Sequence, residues 1–456
     1  MAWLALAVIA SYFNALSGAF QFDDYKVIAD NPSVHSWEAW FAGLGQGIRP
    51  LLKFSYTFDW TLGLGVTGFH LTNLLIHLTN AWLVFRLSEI FIEQQALRER
   101  LLRVPLFAAL LFAVHPAHTE AVTYICGRST SLMTLFYLGG LLAYVTGRAM
   151  QNNAQKNNSG QNNSRQAGLR LYAVTPLLFI LALSVKETAV TFPLALLIWE
   201  LCFLKFGFNQ LGGDAWKTAF GPQWPSWVVL LAGTLLFLLN DNYLSQMERS
   251  AEFNTLQGNI ATQLAAFAYL LRQWALPLWL NIDPDLPLLR DLSGSLLQTL
   301  FFLAAFALML ACWRRRPWLG FALAWAIIQL LPLHLFLPRL DIANDRQLYL
   351  ACWPLFLALT AELALLLNTR TFRIVCIALL LALASLTLLR NQVYVDEIAL
   401  WEDTALKSPH KARAHNNLGH AYKLAGRSEE ARREFTLALR LDPGHIKARY
   451  NLEGTP

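Results

Sequence analysis

Charged side chains are scarce in this chain. Only 14% of its 456 residues are Asp, Glu, Lys or Arg, whereas 55% are hydrophobic, and the mean hydropathy is +0.39. Soluble domains carry about 25% charged residues, and apolar runs near the length that crosses a bilayer recur along most of this chain. The composition therefore predicts an all-α fold, that of a polytopic helical membrane protein.

Cysteine is also rare, and basic residues form no separate domain. The five cysteines lie mainly in or beside apolar runs and show no CxxC spacing, which argues against a disulfide framework or a cysteine-based metal site. The net charge is only +6, and Lys and Arg cluster at the ends of apolar runs, a pattern typical of membrane topology. We expect no nucleic-acid partner. The first segment lacks a basic n-region and a clear cleavage site, so we expect it to remain as an anchor.

Twelve apolar segments are candidate membrane crossings. They lie at about 2–19, 68–85, 104–114, 129–147, 171–185, 187–204, 226–243, 260–280, 296–313, 317–335, 349–367 and 372–390. With the N-terminus inside, twelve crossings would place the basic clusters at 314–316 and 370–373 outside, against the positive-inside rule. We therefore predict eleven crossings, with 260–280 not crossing because Arg272 lies in its middle and Pro277 near its end. The C-terminal tail is then outside.

Two segments differ in character from these apolar runs. Residues 150–168 are rich in Asn, Gln, Ser and Gly, and we predict a flexible inner loop there. Residues 412–445 match the 34-residue tetratricopeptide pattern at Leu418, Gly419, Tyr422, Ala431, Phe435, Ala438 and Pro443. We therefore divide the chain into a transmembrane domain, 1–391, and a tetratricopeptide tail, 392–456, with one complete repeat.

The tail is too short to form a stable solenoid by itself. Trp401 and Pro409 lie 34 residues before Phe435 and Pro443, so we expect the second helix of a preceding repeat as well. About three repeats are usually needed for a stable core, so the tail must pack on the membrane domain, on a partner or on a second copy. The first repeat helix carries polar groups suited to guiding a peptide acceptor: His415, Asn416, His420 and Lys423.

Two adjacent carboxylates, Asp23 and Asp24, follow the first crossing and lie in the first outer loop, 20–67. In this loop SWEAWFAGL has aromatic and apolar residues at i, i+3, i+4 and i+7, which predicts a short interfacial helix. LLKFSYTFDW, residues 51–60, is equally aromatic. We predict that the loop forms the roof of a cavity at the lipid surface. The alternative is that the Asp pair only caps the first crossing.

Other polar residues lie at membrane depth, where charged groups are costly and often functional. Lys186 and Glu187 interrupt a long apolar run, and the alternative is a hairpin turn in which they pair with each other. Arginine forms bidentate bonds to phosphate oxygens, so the candidate ligands of a lipid phosphate are Arg49, Arg272, Arg346 with Tyr349, and Lys186.

Several histidines are further candidates. His115, His118, Glu120 and Arg128 crowd the end of the third crossing, where they form a donor-headgroup site or, through HPxH with Glu120, a metal site. An isolated HxxH spacing is a weak signal, so we predict no metal site. The sequence shows no required cofactor, and it leaves the need for a divalent cation open. His70, Asn73 and His77 share a helical face and line the substrate cavity or form a buried hydrogen-bonded stripe.

The tetratricopeptide end is preceded by six distinctive motifs: FDDYKVIADNP, RPLLKFSYTFDW, GFHLTNLLIHL, HPAHTEAVTYICGRST, LSVKETAVTFPLALLIWE and DRQLYLA. Together these motifs resemble those of a known family, the transmembrane and tetratricopeptide-repeat O-mannosyltransferases of the class C glycosyltransferase (GT-C) superfold. The resemblance implies that the acidic pair is the catalytic signature, that the donor is a polyprenyl-phosphate sugar and that the repeats face the lumen. This chain departs from the family by carrying few repeats.

The chemistry implied by this resemblance requires such residues. Sugar transfer from a lipid phosphate to a hydroxyl needs a carboxylate to accept the hydroxyl proton and cations to hold the leaving phosphate. We therefore expect Asp23 or Asp24 to act as the base of an inverting glycosyltransferase in a bacterial inner membrane, with its site and tail facing the periplasm. The expected partners are the lipid-linked donor, a protein or peptide acceptor and membrane lipid. The alternative is a non-catalytic scaffold or a translocator of lipid-linked sugars.

Overall fold

Apolar runs of the sequence form helices throughout the computed structural model. The structure describes residues 1–45, 49–95, 97–157, 161–203, 220–239, 244–245, 254–331, 335 and 341–455. Within these ranges the regular elements are all helical, as the sequence predicts. The all-α fold is therefore confirmed for the described part of the chain.

The described residues of the first half of the chain form ten α-helices. In chain order they are α1 (Ala2–Tyr12), α2 (Trp37–Ala42), α3 (Pro50–Leu62), α4 (Gly65–Glu93), α5 (Val104–Val114), α6 (Thr119–Val122), α7 (Arg128–Asn157), α8 (Gln161–Leu169), α9 (Thr175–Val185) and α10 (Phe192–Phe203). The interfacial helix predicted from SWEAWFAGL forms as α2, and the side chain of Ser36 accepts a hydrogen bond from Ala39 N at its start. The aromatic segment after it forms α3.

In the second half, seven α-helices before the tail and four within it lie in the described ranges. They are α11 (Trp224–Leu238), α12 (Leu256–Ala275), α13 (Leu296–Cys312), α14 (Pro317–Leu330), α15 (Leu348–Ala351), α16 (Trp353–Leu366), α17 (Thr369–Gln392), α18 (Glu397–Lys407), α19 (Ala412–Leu424), α20 (Ser428–Leu441) and α21 (Ile446–Glu453). Each of the twelve predicted crossings overlaps at least one helix. The predicted ends at 204, 240–243 and 332–334 lie outside the described residues.

The number of crossings stays a prediction. Five helical segments of the described chain are long and apolar enough to cross a membrane, or seven if each of two bent helix pairs counts as one span. Two shorter apolar segments, Ala2–Ser17 and Pro317–Leu330, add to these. The helix at 260–280 that we expected not to cross, α12, is absent from the candidates among the described residues. The chain is thus a multi-pass membrane protein, and its eleven crossings are not confirmed.

The prediction of a loop at residues 150–168 is wrong for the described part of this segment. Where the structure describes this segment it is helical: α7 runs to Asn157, and α8 begins at Gln161; residues 158–160 lie outside the described part. Gln and Ala favour helices, and α8 packs beside α7. Polar composition alone therefore does not predict a loop when neighbouring helices supply packing.

The tail packs on the membrane domain. Asp283, in the segment between α12 and α13, pairs with Lys411 and with Arg413 of α19. Asn281 Nδ2 donates to Ser408 Oγ at 2.8 Å, and Ile282 contacts the apolar core that contains Trp401 and Phe435 of the tail. Of the three packing modes left open by the sequence, the structure shows the first.

Candidate active site

Asp24 is a buried structural carboxylate. Its Oδ2 accepts a hydrogen bond from Gln21 N at 3.0 Å, and its Oδ1 accepts one from Cys126 N at 2.8 Å. The residue is only 1% exposed. Burial raises the pKa of Asp24 to about 7, against the two hydrogen bonds that lower it. Asp24 thus ties the first outer loop to the turn before α7.

Asp23 faces a cavity. This cavity has a volume of about 160 Å³ and is lined by Asp23, Val27, Arg49, Leu52, Tyr56, Cys126, Ser129, Lys186, Thr188, Asn344, Arg346 and Gln347. Burial raises the pKa of Asp23, while the positive charge of Arg346 lowers it. Of the two carboxylates that the sequence left as equal candidates, Asp23 is therefore the one that lines open space.

Three cations share this cavity, and each is held by the protein. Arg49 Nη2 donates to both carboxylate oxygens of Glu187, at 3.0 and 2.8 Å. Lys186 Nζ donates to Thr130 Oγ1 at 2.7 Å. Arg346 lies 3.4 Å from Glu120, measured from Nε to Oε1, and its backbone N–H donates to Glu120 Oε2 at 3.0 Å. The cavity thus places one carboxylate beside three positioned positive charges.

Three residues that line the cavity each carry a buried polar atom without a hydrogen-bond partner among the described residues. The atoms are Arg49 Nε, Tyr56 Oη and Asn344 Oδ1. A buried donor or acceptor left without a partner costs about 1–3 kcal/mol, and such groups are usually satisfied by water or a ligand. Their position beside Asp23 suits a polar ligand.

The backbone is strained on both sides of the site. Phe22 and Arg49 have φ values of 48° and 64°, and they are the non-glycine residues with positive φ in the described chain. Phe22 immediately precedes Asp23, and Arg49 immediately precedes α3. Positive φ is unfavourable for residues with a Cβ and persists where surrounding contacts enforce it. The strain is therefore concentrated at the cavity.

A second, narrower cleft reaches Asp23 from the tail. It has a volume of about 20 Å³, room for about one water molecule, and is lined by Phe22, Asp23, Glu120, Tyr124, Ile282, Asp283, Asp341, Arg346, Trp401 and Arg413. Asp23 and Arg346 line both spaces. The cavity and the cleft thus share the Asp23 carboxylate and the Arg346 guanidinium.

The histidines of the predicted donor site bond to backbone carbonyls. His115 Nε2 bonds to Trp274 O at 3.0 Å, and His118 bonds to Phe112 O through Nδ1 at 2.8 Å. His70 bonds to Gly18 O. Their rings thus hold backbone carbonyls inside the protein and do not line the cavity.

His77 and Tyr349 form a buried stripe together with Asn80. His77 Nδ1 lies 2.7 Å from Tyr349 Oη, and Asn80 Nδ2 donates to the same oxygen at 3.1 Å. Of the two readings left open for the His70–His77 face, these contacts favour the buried one. Tyr349, which the sequence paired with Arg346 as a phosphate ligand, makes these contacts and is not among the residues that line the cavity.

Arg128 and Arg272 also lie away from the cavity. Arg128 is fully buried: its guanidinium donates to Asn73 Oδ1 at 2.6 Å and to Phe69 O at 2.8 Å. Arg272 is an exposed residue in the last turn of α12. Neither arginine is among the residues that line the cavity, and their predicted contact with the donor stays a prediction.

Metal binding gains no support from the geometry. Within the described ranges, no group of three or more His, Cys, Asp or Glu side chains is arranged to hold a metal ion. Glu120, which the sequence placed beside His118, contacts Arg346.

The tail residues predicted to guide an acceptor divide into two groups. His415 Nδ1 bonds to Glu434 Oε2 at 2.7 Å, and this contact raises the pKa of His415. Asn416 bonds to Asn451, and Lys423 donates to Asn451 O. These three residues are bonded within the tail, whereas His420 is exposed, so the guiding of an acceptor by this helix stays a prediction.

Sequence reasoning missed several residues of the site. Asn344, Ser129, Thr188 and Gln347 line the cavity without having been singled out, although all four neighbour residues that were. Trp401 was noted only for its repeat spacing. The sequence could have indicated the four polar residues, because Ser129, Thr188 and Gln347 lie within the quoted motifs and Asn344 directly precedes DRQLYLA.

Comparison with known proteins gives matches along nearly the whole chain. The tetratricopeptide repeat model matches residues 412–445. Protein O-mannosyl-transferase Tmtc3 of Drosophila melanogaster is 25% identical, over 99% of this chain and 56% of the relative. Human protein O-mannosyl-transferase TMTC3 is 23% identical, over 98% of this chain and 52% of the relative. Human protein O-mannosyl-transferase TMTC1 is 24% identical, over 99% of this chain and 56% of the relative.

This chain spans about half the length of these relatives. No solved structure matches it significantly, so the GT-C assignment stays a prediction. The tetratricopeptide repeat and the similarity along nearly the whole chain confirm the predicted resemblance to the transmembrane and tetratricopeptide-repeat O-mannosyltransferases.

Proposed function

We propose that this protein is a membrane glycosyltransferase that moves mannose or a similar hexose from a polyprenyl-phosphate donor to a Ser or Thr hydroxyl of a protein acceptor. The observation that carries the proposal is the cavity in which Asp23 lies with Arg49, Lys186 and Arg346. One carboxylate beside several cations suits transfer from a phosphate to a hydroxyl. The relatives named protein O-mannosyl-transferases support the same reaction class.

Asp23 is the proposed base. As the acceptor oxygen bonds to the anomeric carbon, the bond from that carbon to the phosphate oxygen breaks, and the hydroxyl proton passes to the Asp23 carboxylate. The sugar is transferred once, with inversion. Asp24 is unsuited to this role because both of its oxygens accept backbone hydrogen bonds. It instead positions its neighbour.

The three cations are the proposed phosphate ligands. Arginine and lysine stabilise the charge that develops on the leaving phosphate. Glu187 and Glu120 hold Arg49 and Arg346, and Thr130 holds Lys186. Such fixed charges stabilise a leaving group without rearranging during the reaction. The narrow cleft, which shares Asp23 and Arg346 with the cavity, is the proposed site of the acceptor hydroxyl.

The position of the basic clusters supports a site on the outer face. Arg100, Arg103 and Thr369 line a cavity of about 530 Å³ at the start of α17. The 24 residues of α17 span about 36 Å, enough to cross the hydrocarbon core, before the chain enters the tail beside Asp23. If the basic end is inside, Asp23 is outside. The relatives are animal proteins, so the bacterial inner membrane stays a prediction.

Replacement of the base tests the proposal. The purified Asp23→Asn variant, assayed with polyprenyl-phosphate mannose and a Ser/Thr-rich peptide, should lose transfer by about a hundredfold or more, because an amide does not accept the proton. Its thermal midpoint should match that of the wild type. The control is Asp30→Asn, an exposed aspartate of the same loop. Normal turnover by Asp23→Asn, or a wild type without transfer, would favour a scaffold or translocator instead.

A further inference from the structure

The tail contacts the residue that precedes Asp23. Glu397 Oε1, in the first turn of α18, accepts a hydrogen bond from Phe22 N at 2.7 Å. One turn further along the same helix, the ring of Trp401 meets the Phe22 ring edge to face, with 5.1 Å between centroids. Both the backbone and the side chain of Phe22 are therefore held by α18.

The adjoining residues are held by the same region. Gln21 Nε2 donates to Tyr394 O at 2.5 Å, and Ala19 N donates to Val395 O at 3.1 Å. On the other side, Asp23 N donates to Tyr124 Oη at 3.2 Å. The segment 19–23 thus lies between the start of the tail and the turn that precedes α7.

Phe22 needs such contacts because its backbone is strained. With a φ of 48° it occupies a region that bulky residues rarely adopt, and a strained residue persists only where its surroundings enforce the conformation. Without Glu397 and Trp401, Phe22 would relax to negative φ. That rotation would turn the following residue, Asp23, away from its present place in the cavity.

We propose that Glu397 and Trp401 are positioning residues that hold Phe22 at positive φ and thereby direct the Asp23 carboxylate towards Arg346 and the acceptor. This role rests on the proposed function of Asp23. It gives the tail a part in the chemistry itself: the first tail helix completes the wall of the site. A misplacement of about 1 Å at a reacting group costs about a hundredfold in rate.

The experiment compares variants of two glutamates on α18. Glu397→Ala removes the acceptor for Phe22 N, Glu397→Gln keeps an oxygen acceptor there, and Trp401→Ala removes the ring contact. Glu402→Ala is the matched control, since Glu402 accepts from Tyr422 Oη within the tail at 2.7 Å. The probes are polyprenyl-phosphate mannose and a Ser/Thr-rich peptide, with amide hydrogen exchange of residues 20–24 measured on each full-length variant.

We expect Glu397→Ala and Trp401→Ala to lower kcat about tenfold to a hundredfold while the KM for the donor stays unchanged. Glu397→Gln should restore most of kcat, and exchange at the Phe22 amide should accelerate in Glu397→Ala but not in Glu402→Ala. A general structural role would instead lower activity equally in Glu402→Ala.

Normal kcat together with unchanged Phe22 exchange in Glu397→Ala would overturn the positioning role. If that result accompanies an inactive Asp23→Asn, only this inference fails. If Asp23→Asn is fully active, the proposed function fails, and the exchange measurement still decides whether α18 holds Phe22.

Discussion

Arg128 and Asp59 form a fully buried ion pair, with 2.5 Å between Arg128 Nη1 and Asp59 Oδ2. The guanidinium carbon of Arg128 lies 5.1 Å from the centre of the Tyr56 ring, and Tyr56 lines the cavity beside Asp23. The pair therefore supports the cavity wall from behind, and α3 and α7 are joined through it.

Removal of one partner should destabilise the protein strongly. Asp59→Asn leaves a buried guanidinium without its counter-charge, and we expect a loss of about 3 kcal/mol in the free energy of unfolding. Arg86→Ala, which breaks the exposed pair with Glu89 on α4, should change it by less than about 1 kcal/mol. Unfolding in detergent, followed by a denaturant series, measures both; equal effects would contradict the structural role of the pair.

Stability should fall as the pH rises through neutrality. Burial raises the pKa of Asp24 from 3.8 to about 7, so the folded protein keeps this proton at pH values where the unfolded chain has lost it. The resulting stabilisation is complete below about pH 4 and is lost as the pH passes 7. The thermal midpoint, measured at pH 5, 6, 7 and 8, should decrease as the pH rises. The decrease per pH unit should be smaller in Asp24→Asn than in the wild type. An identical slope in that variant would exclude Asp24 as the source.

The transfer rate should rise with pH, since a general base acts in its ionised form. Burial raises the pKa of Asp23 above its ordinary value, and Arg346 lowers it, so the acid limb of kcat should have its midpoint above 3.8. In Arg346→Gln the opposing charge is gone, and the midpoint should move to higher pH. The measurement is kcat at saturating donor between pH 4 and 8. A midpoint that does not move would mean that Asp23 is not the group that titrates.

Deletion of residues 408–456 should abolish donor hydrolysis and peptide transfer together and lower the thermal midpoint. The deletion removes Ser408, Lys411 and Arg413, which bind the segment around Asp283. The sequence alone slightly favoured the opposite result, with the tail guiding an acceptor and the membrane domain remaining active. Retained hydrolysis with selective loss of peptide transfer would restore that view. His420→Ala, on the exposed surface of the tail, is the control.

The sequence predicted the helices well because apolar length and periodicity are local properties. It also predicted that the first outer loop carries the acidic pair, and Asp23 of that pair lines the candidate cavity. It did not distinguish Asp23 from Asp24, since the difference lies in two backbone amides, those of Gln21 and Cys126, and the second is 102 residues away.

The pairing of polar groups was less predictable for the same reason. Lys186 and Glu187 were recognised as unusual, but their contacts with Thr130 and Arg49 join segments distant in sequence. The polar face of α19 follows helical spacing, yet Glu434 of the next helix engages His415. Arg272 was chosen for its place within an apolar run, where exposure at the end of a helix is equally compatible with the sequence.

The hydrogen bonds of the Phe22 segment to Tyr394 and to Glu397 of α18 join residues 373 and 375 positions apart. During synthesis Phe22 leaves the ribosome hundreds of residues before its partner Glu397 does. Contacts this distant in sequence form late, after the intervening helices have inserted and packed. The nascent chain would therefore carry its carboxylate in an undirected loop, and catalytic competence would arrive only with the tail.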